Sequence, residues 1–358
     1  MSEQQGPAIS PKSFGQCPLP ITQHDTVQLG HGSGGQMMNE LIAKLFLWAF
    51  DNPYLKALDD FALLELNGQR LAFSTDSFVV DPLFFPGGNI GELAVNGTVN
   101  DVSMSGARPL FLSVGMILEE GLPLEDLRRI VESMRDAARR AGVVVVTGDT
   151  KVVNKGKGDK VFINTAGIGL IEREFVPSGH KLQPGDRILL SGPIAEHGIA
   201  ILSRREGLSF ETPIESDTAP LNGLVQTILD VGGPAVHALR DPTRGGVAAT
   251  LNEFAQASGV EIEIEEASIP IRDPVTGACE LLGLDPLYVA NEGKLIAAVA
   301  GDKAETVLEA MRKHPLGSQA EMIGRVLEGH PGRVVLRTTI GGKRIVDLPV
   351  GEQLPRIC

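Results

Sequence analysis

The chain ends on a thiol: Cys358 follows Leu354-Pro355-Arg356-Ile357. Only the thiolate is a good nucleophile, and an exposed cysteine, with a pKa of about 8.5, is a few per cent ionised at neutral pH. Pro355 biases Gln353 and Leu354 towards extended geometry, so the end reads as an arm with a reactive sulfur at its tip. The plain alternative is a terminal cysteine with no role. Prenylation is excluded, because that signal places its cysteine four residues from the end.

Carboxylates form the second group. Asp60, Asp76, Asp101 and Asp149 each stand where a separate strand or helix ends or turns. A single such Asp is an ordinary turn former. Repeated Asp with neighbouring Asn and Thr is what Mg²⁺ bound to phosphate requires, since hard cations take oxygen ligands in near-octahedral geometry. The net charge of −13 argues against a nucleic-acid or anionic-membrane surface, which would want basic clusters. An acidic protein can still bind a polyphosphate by placing metals between the two.

Two glycine-rich turns complete the chemical inventory. His31-Gly32-Ser33-Gly34-Gly35 leads into a helical run carrying Met38, Leu41, Ile42, Leu45 and Phe46. Such a turn can cradle phosphate with backbone N–H groups, though it lacks the Lys-Ser/Thr of a P-loop and the spacing of a Rossmann fingerprint. In Asp241-Pro242-Thr243-Arg244-Gly245-Gly246, Asp as N-cap and Pro at N1 make an ordinary start for a helix to Ala257. The Thr, Arg and glycines there also suit an anion.

The elements that must position these groups alternate. Strands are expected over Leu58–Leu64 and Leu71–Phe78, then a helix over 90–105 and a strand over Pro109–Leu118. A helix follows over Asp126–Ala141, with Leu127, Ile130, Val131, Met134 and Ala138 on one stripe. Val143–Val146 reads as a buried strand running into Thr147-Gly148-Asp149-Thr150-Lys151, and Val161–Ile171 as another strand. After a boundary near residue 175 come a strand at Arg187–Ser191 and helices around 197–206 and 221–230. Val260–Glu266 alternates Ile and Glu and reads as a half-exposed strand. Asn291-Glu292-Gly293-Lys294 reads as a polar turn between strands, ahead of a helix at 302–313 and strands near 318–327 and 333–338. Strands and helices alternate twice over, which predicts two α/β or α+β domains, as 358 residues allow. The expected divisions are a disordered extension over 1–24, domains over 25–175 and 176–340, and a tail over 341–358. Three widely spaced cysteines (Cys17, Cys279, Cys358) fit a reducing cytoplasm, and neither a signal peptide nor a membrane span is read.

In order along the chain, HGSGG, LDDFALL, STDSFVVDP, AVNGTVNDVSMSGARP, VVTGDTKVV, RDPTRGGVAATLNE, NEGK and a terminal PRIC are present. This set resembles the HypE family of hydrogenase maturation factors from about residue 24 onward. That family lies within the superfamily of aminoimidazole ribonucleotide synthetase and selenophosphate synthetase. The terminal Pro-Arg-Ile-Cys separates HypE from its relatives, and the missing cysteine in the His31-Gly32-Ser33 loop argues against selenophosphate synthesis.

The resemblance implies an α+β, two-domain aminoimidazole ribonucleotide synthetase-like fold with ATP in the inter-domain cleft. It implies a homodimer whose N-terminal strands join into a barrel. The implied reaction is ATP-dependent: a HypF-type carbamoyltransferase loads the C-terminal cysteine, phosphorylation of the amide oxygen dehydrates the thiocarboxamide to a thiocyanate, and cyanide passes to iron on a HypC–HypD complex. Carried onto this sequence, Asp60, Asp76, Asp101 and Asp241 match the Mg²⁺ ligands, and Gly32, Ser33, Gly34 and Gly35 the segment covering the nucleotide. Asn100, Asp149, Thr150 and Thr243, with Asp60 and Asp76, are expected nucleotide contacts. Lys151 and Glu292 are expected beside the phosphates and the Cys358 tail; physical chemistry, not the resemblance, gives them the roles of phosphate stabiliser and proton acceptor, with a structural Lys–Glu pair as the plain alternative. Two other functions stay open: a different small-molecule ATP enzyme of this fold, and a module whose tail only docks a partner.

Overall fold

The structure is a computed structural model that describes residues 26–208, 213–349 and 356–358. The expected extension over 1–24, Cys17, and the tail residues around Gly351 and Pro355 lie outside the described residues.

The first half is a five-stranded sheet covered on one face by helices. A helical segment, α1 (Gln36–Leu41), passes through a π turn (Ile42–Phe46) into α2 (Leu47–Ala49). The strands β1 (Ala62–Leu66) and β2 (Gln69–Phe78) form a hairpin over Asn67-Gly68. Both turn residues have positive φ, 51° and 78°, the requirement of the tight turn that Asn-Gly favours. A short hairpin, β3 (Phe84–Phe85) and β4 (Gly88–Asn89), leads to α3 (Ile90–Met104). Asn89 caps that helix, its Oδ1 accepting from Gly91 N at 2.9 Å. Then come β5 (Arg108–Glu119), α4 (Leu124–Ala141), β6 (Val144–Val153) and β7 (Val161–Ile171), in sheet order β1-β2-β7-β5-β6. Only β5 and β6 run parallel, because α4 supplies the crossover that parallel neighbours need.

Helix α3 is buried along almost its whole length, since the sheet, α4 and the second half enclose it. Gly91 permits the close approach of α4, where a Cβ would overlap Ile130 O.

The second half contains β8 (Arg187–Leu190), α5 (Glu196–Arg205), α6 (Asn222–Gly232), β9 (Val236–Arg240), α7 (Gly246–Ser258), β10 (Glu261–Glu265) and α8 (Asp273–Leu282). It continues with β11 (Ile296–Val299), α9 (Ala304–Lys313), β12 (Glu321–Leu327), β13 (Arg333–Arg337) and β14 (Lys343–Ile345), in sheet order β14-β13-β10-β12-β8-β11-β9. Strand β14 thus lies inside the stretch read as tail. One hydrophobic cluster crosses the two halves, joining Phe61, Ala72, Val102 and Met104 to Leu189, Leu224, Leu239 and Leu295. No helix among the described residues is long and apolar enough to cross a membrane.

Four expectations fail locally. Strand β6 is exposed rather than buried, because it forms the sheet edge, and it runs on to Val153, so Asp149 lies mid-strand. Asp241 is not an N-cap: Gly245 and Gly246, at φ 76° and 61°, delay the helix to Gly246 and leave Asp241–Arg244 as a loop. Strand β10 is largely buried despite its glutamates, between β12 and β13, with Glu261 paired to Arg333 and Glu263 to Arg325 at 2.7 Å each. Residues 291–294, read as a polar turn between strands, are buried and follow a 3-10 turn (Pro286–Tyr288) instead of a strand.

Candidate active site

Three carboxylates converge where the halves meet. Asp60 precedes β1, Asp101 lies on α3, and Asp241 follows β9; each offers an oxygen, all within 4.8 Å of one another. Ser74 Oγ on β2 sits 2.8 Å from Asp60 O and 2.9 Å from Asp101 Oδ2, and Arg240 Nη2 is 2.9 Å from Asp60 Oδ1. Burial, and then the charge of Asp241, holds the Asp101 carboxyl well above the usual range. Burial and Asp60 push Asp241 up to about 8. Burial raises Asp60 to about 6 against the opposing pull of Arg240. Asp241 Oδ2 is buried and has no hydrogen-bond partner among the described residues. A set of close, mutually repelling, incompletely paired carboxylate oxygens fits a hard divalent cation.

A cavity of about 570 Å³ opens over this cluster. Asp76, Thr243, Arg244 and Gly34 line it alongside the three acids, and burial raises the Asp76 pKa against the opposing charge of Arg244. The glycine-rich segment closes down on the Asp241–Arg244 loop: Arg244 Nη1 donates to Gly32 O at 2.8 Å. Gly34 has φ 75°, and a Cβ there would lie 2.8 Å from Arg244 O. Ser33 Oγ donates to Gly30 O at 2.9 Å, and Gly35 is the N-cap of α1.

The end of the chain docks on the residues that follow β2. Cys358 O accepts from Val79 N at 2.8 Å, and Ile357 forms an antiparallel bridge with Val80. The charge at Cys358 is the largest influence raising the pKa of Arg244, which also feels Asp76, Glu292 and Asp101. Arg244 thus relates the tail to the cavity.

Glu292 is 2% exposed, and its Oε1 has no hydrogen-bond partner among the described residues. Burial, then Asp241, holds its carboxyl well above the usual range. Its backbone is fixed: its N donates to Asp217 Oδ1 at 3.1 Å and its O accepts from Asn100 Nδ2 at 3.2 Å. At the next residue a Cβ would overlap Asp217 O, so Gly293 is required for the approach. Asn100 spends its other contacts on Ala219 O and Leu221 N, which makes it a brace for Glu292.

Asp149, Thr150 and Lys151 are not brought to this cavity within one chain. They lie exposed on β6, where Lys151 Nζ pairs with Asp149 at 2.8 Å. The register Asp149–Gly115–Asn164–Ser77 puts three strand spacings, about 14 Å, between β6 and β2. Sequence reasoning missed Arg240, Ser74, Asp217, Lys294 and His197. Arg240 could have been read from its place beside Asp241, and Ser74 and Lys294 from the motifs STDSFVVDP and NEGK; Asp217 and His197 carry no local motif.

The AIR synthase related protein families match both halves, the N-terminal domain over residues 58–171 and the C-terminal domain over 183–337. The carbamoyl dehydratase HypE of Azotobacter vinelandii is 56% identical over 336 residues, covering 94% of this chain and 98% of that protein. A solved HypE–HypF complex contains a chain that superposes with a TM-score of 0.82 at 51% identity, covering 86% of this chain and 99% of that one. A HypE structure in complex with ATP gives 0.79 at 53% identity, covering 93% and 100%. By these likenesses, the chain belongs to the carbamoyl dehydratase HypE family.

Proposed function

We propose that this chain uses ATP to dehydrate a carbamoyl group carried on its own Cys358, giving the S-cyanate that supplies the cyanide ligand of a [NiFe]-hydrogenase iron centre. The observation that carries the reading is the docked C-terminus, held by Val79 and Val80 and coupled through Arg244 to the acid-lined cavity. A HypF-type carbamoyltransferase loads the thiol, and a HypC–HypD complex accepts the cyanide.

The reaction balances in two steps. The amide oxygen of Cys358–S–C(=O)–NH₂ attacks the γ-phosphorus of ATP and ADP leaves, while nitrogen gives up one proton and becomes a C=N–H group. Nitrogen then gives up its second proton, the C–O bond breaks, and phosphate departs to leave Cys358–S–C≡N. The water lost from the amide ends in the phosphate.

The chain's own groups divide this work. Glu292, buried with an Oε1 that has no hydrogen-bond partner among the described residues, is the group placed to take the second proton, and Asn100 and Asp217 hold its backbone in place. Gly32 to Gly35, Asp76, Thr243 and Arg244 enclose the nucleotide phosphates. Asp60, Asp101 and Asp241 are the residues that would hold a Mg²⁺, and the chemistry it would supply is neutralisation of the charge on the phosphate oxygens.

Lys151 and Asp149 reach the site from a second copy. Phe73, Ile168, Phe111 and Val144 pair in one row across β2, β7, β5 and β6, and are 38%, 40%, 46% and 57% exposed. Paired residues share a face, so Asp149 opposite Gly115 and Lys151 opposite Ile117 project on that same side of the sheet. An apolar row of this kind favours burial against another sheet, and the homodimer supplies one. The direct test is the C-terminal peptide of the carbamoylated protein. Adding Mg-ATP is expected to remove one water from its mass; an unchanged mass with ATP bound overturns the reading.

A further inference from the structure

We propose that His197, which no motif singled out, is a positioning residue that clamps the docked tail by its backbone; the proposal rests on the reading of Cys358 as the carrier of the reacting group.

Each of the last three carbonyls meets a fixed donor. Arg356 O accepts from Asp81 N at 3.3 Å and from Arg205 Nη2 at 2.7 Å; Ile357 O accepts from His197 Nε2 at 2.6 Å; Cys358 O accepts from Val79 N at 2.8 Å. Recognition by main-chain bonds along a strand is the strand-addition mode of peptide binding. Its register is set by pairing, and a one-residue slip would turn every side chain to the other face. Side chains add two anchors: Ile357, 4% exposed in a cluster with Phe78, Leu83, Phe85 and Ile201, and Arg356, which pairs with Asp159 and, at 3.5 Å, with Asp81.

His197 is the one side-chain donor buried completely within this clamp. A carbonyl oxygen only accepts, so Nε2 carries the proton, and Nδ1 accepts from Ser216 Oγ at 2.7 Å. Burial disfavours the charged ring and so keeps this neutral tautomer, against the opposing pull of Asp217. Phe85 meets the ring edge-on, with centroids 5.6 Å apart. The ring is therefore held on several sides and free to do little else than bind Ile357 O.

The clamp is also joined to the base. Ser216 holds His197, and its neighbour Asp217 accepts from Glu292 N at 3.1 Å and pairs with Lys294 at 3.1 Å. Two adjacent residues of one loop thus set both the tail and Glu292. Losing the His197 bond removes one of the main-chain contacts that hold the tail tip.

The experiment uses the full-length protein with His197→Gln, His197→Asn and His197→Phe. Glutamine places an N–H near the position of Nε2; asparagine is too short, and phenylalanine has no donor. Two quantities are read: the alkylation rate of Cys358 by N-ethylmaleimide without ATP, followed on the C-terminal peptide, and the single-turnover dehydration rate at saturating Mg-ATP. For His197→Phe and His197→Asn, alkylation is expected to rise and dehydration to fall by about 10-fold, the scale of one buried hydrogen bond, with Mg-ATP affinity unchanged. His197→Gln is expected to restore both. Wild-type rates in a folded His197→Phe protein, or equal impairment of all three variants, overturn the proposal. If His197→Phe does not fold, Arg205→Met removes the side-chain donor to Arg356 O, and unchanged alkylation there overturns it. Alkylation needs neither carbamoylation nor ATP, so failure of the clamp and failure of the dehydration reading are separable.

Discussion

Arg240 and Asp60 form a 2.9 Å salt bridge at the edge of the carboxylate cluster, and Glu253 takes the other side of the same guanidinium at 3.2 Å. The residue that neutralises one acid of the cluster immediately precedes another, Asp241. Replacing Arg240 with Met strands a buried Asp60 among like charges, and the expected cost is about 3 kcal/mol in urea denaturation. The cost is expected to be greater at pH 8 than at pH 5, because Asp60, with a pKa of about 6, is ionised only at the higher pH. Equal stability of variant and wild type at pH 8 would show that the guanidinium is not what Asp60 depends on.

Proton and metal compete for the same oxygens. Asp60, at about 6, and Asp241, at about 8, stand above their ordinary 3.8. An acid with a raised folded pKa contributes stability below its unfolded pKa and loses it as pH rises through the folded one. The metal-free protein is therefore expected to lose stability between about pH 4 and pH 8, and Mg²⁺ to restore it most at pH 8. Scanning calorimetry with EDTA and with Mg²⁺ across this range is the check. A Mg²⁺-induced rise in Tm that does not grow with pH contradicts it.

Asp101 separates stability from function. Its carboxyl is buried among Asp241, Asp60 and Asp76, so Asp101→Asn removes repulsion while keeping an oxygen for Ser74. The metal-free variant is expected to melt higher than wild type at pH 8. Its Mg-ATP affinity, by titration calorimetry, is expected to fall at least about 10-fold, the lower end of what even an indirect metal partner costs. Unchanged affinity removes Asp101 from the ligand set.

In the proposed dimer, Lys151 and Glu292 of one site come from opposite members. Lys151→Ala and Glu292→Gln homodimers are each expected to dehydrate about 10²-fold more slowly than wild type or worse, the scale of a lost proton-transfer or charge-stabilising group. Co-expressed mixed dimers are expected to regain activity, because one of their two sites is intact. No gain in the mixture would place Lys151 in the same chain as the site it serves.

Much of the fold was legible because its signals are local. The helix expected over Asp126–Ala141 forms as α4, and the strand expected over Val161–Ile171 forms along its full length as β7. Asp60 and Asp101 stood out, with Asp76 and Asp149, as acids at element ends; Asp241 read as an ordinary N-cap and joined the set only through the family resemblance. What was misread depends on neighbours distant in sequence. The valines of β6 look like core, yet the strand is an edge, and only sheet order decides which. Residues 291–294 look like a polar turn, but Asn291 is satisfied by Ala195 N at 2.7 Å and Pro242 O at 2.9 Å, which makes burial tolerable. His197 gave no sign at all, since its importance lies in a carbonyl 160 residues away.

In the proposed reaction the sulfur of Cys358 is part of the substrate and not of the nucleotide site. The measurement is the mass of the C-terminal peptide after incubation with the carbamoyltransferase, carbamoyl phosphate and Mg-ATP, for wild type and for Cys358→Ala. The wild-type peptide is expected to carry a thiocyanate. The Cys358→Ala protein is expected to bind Mg-ATP with wild-type affinity and to gain no adduct. A cyano adduct formed in Cys358→Ala at the wild-type level would contradict the account.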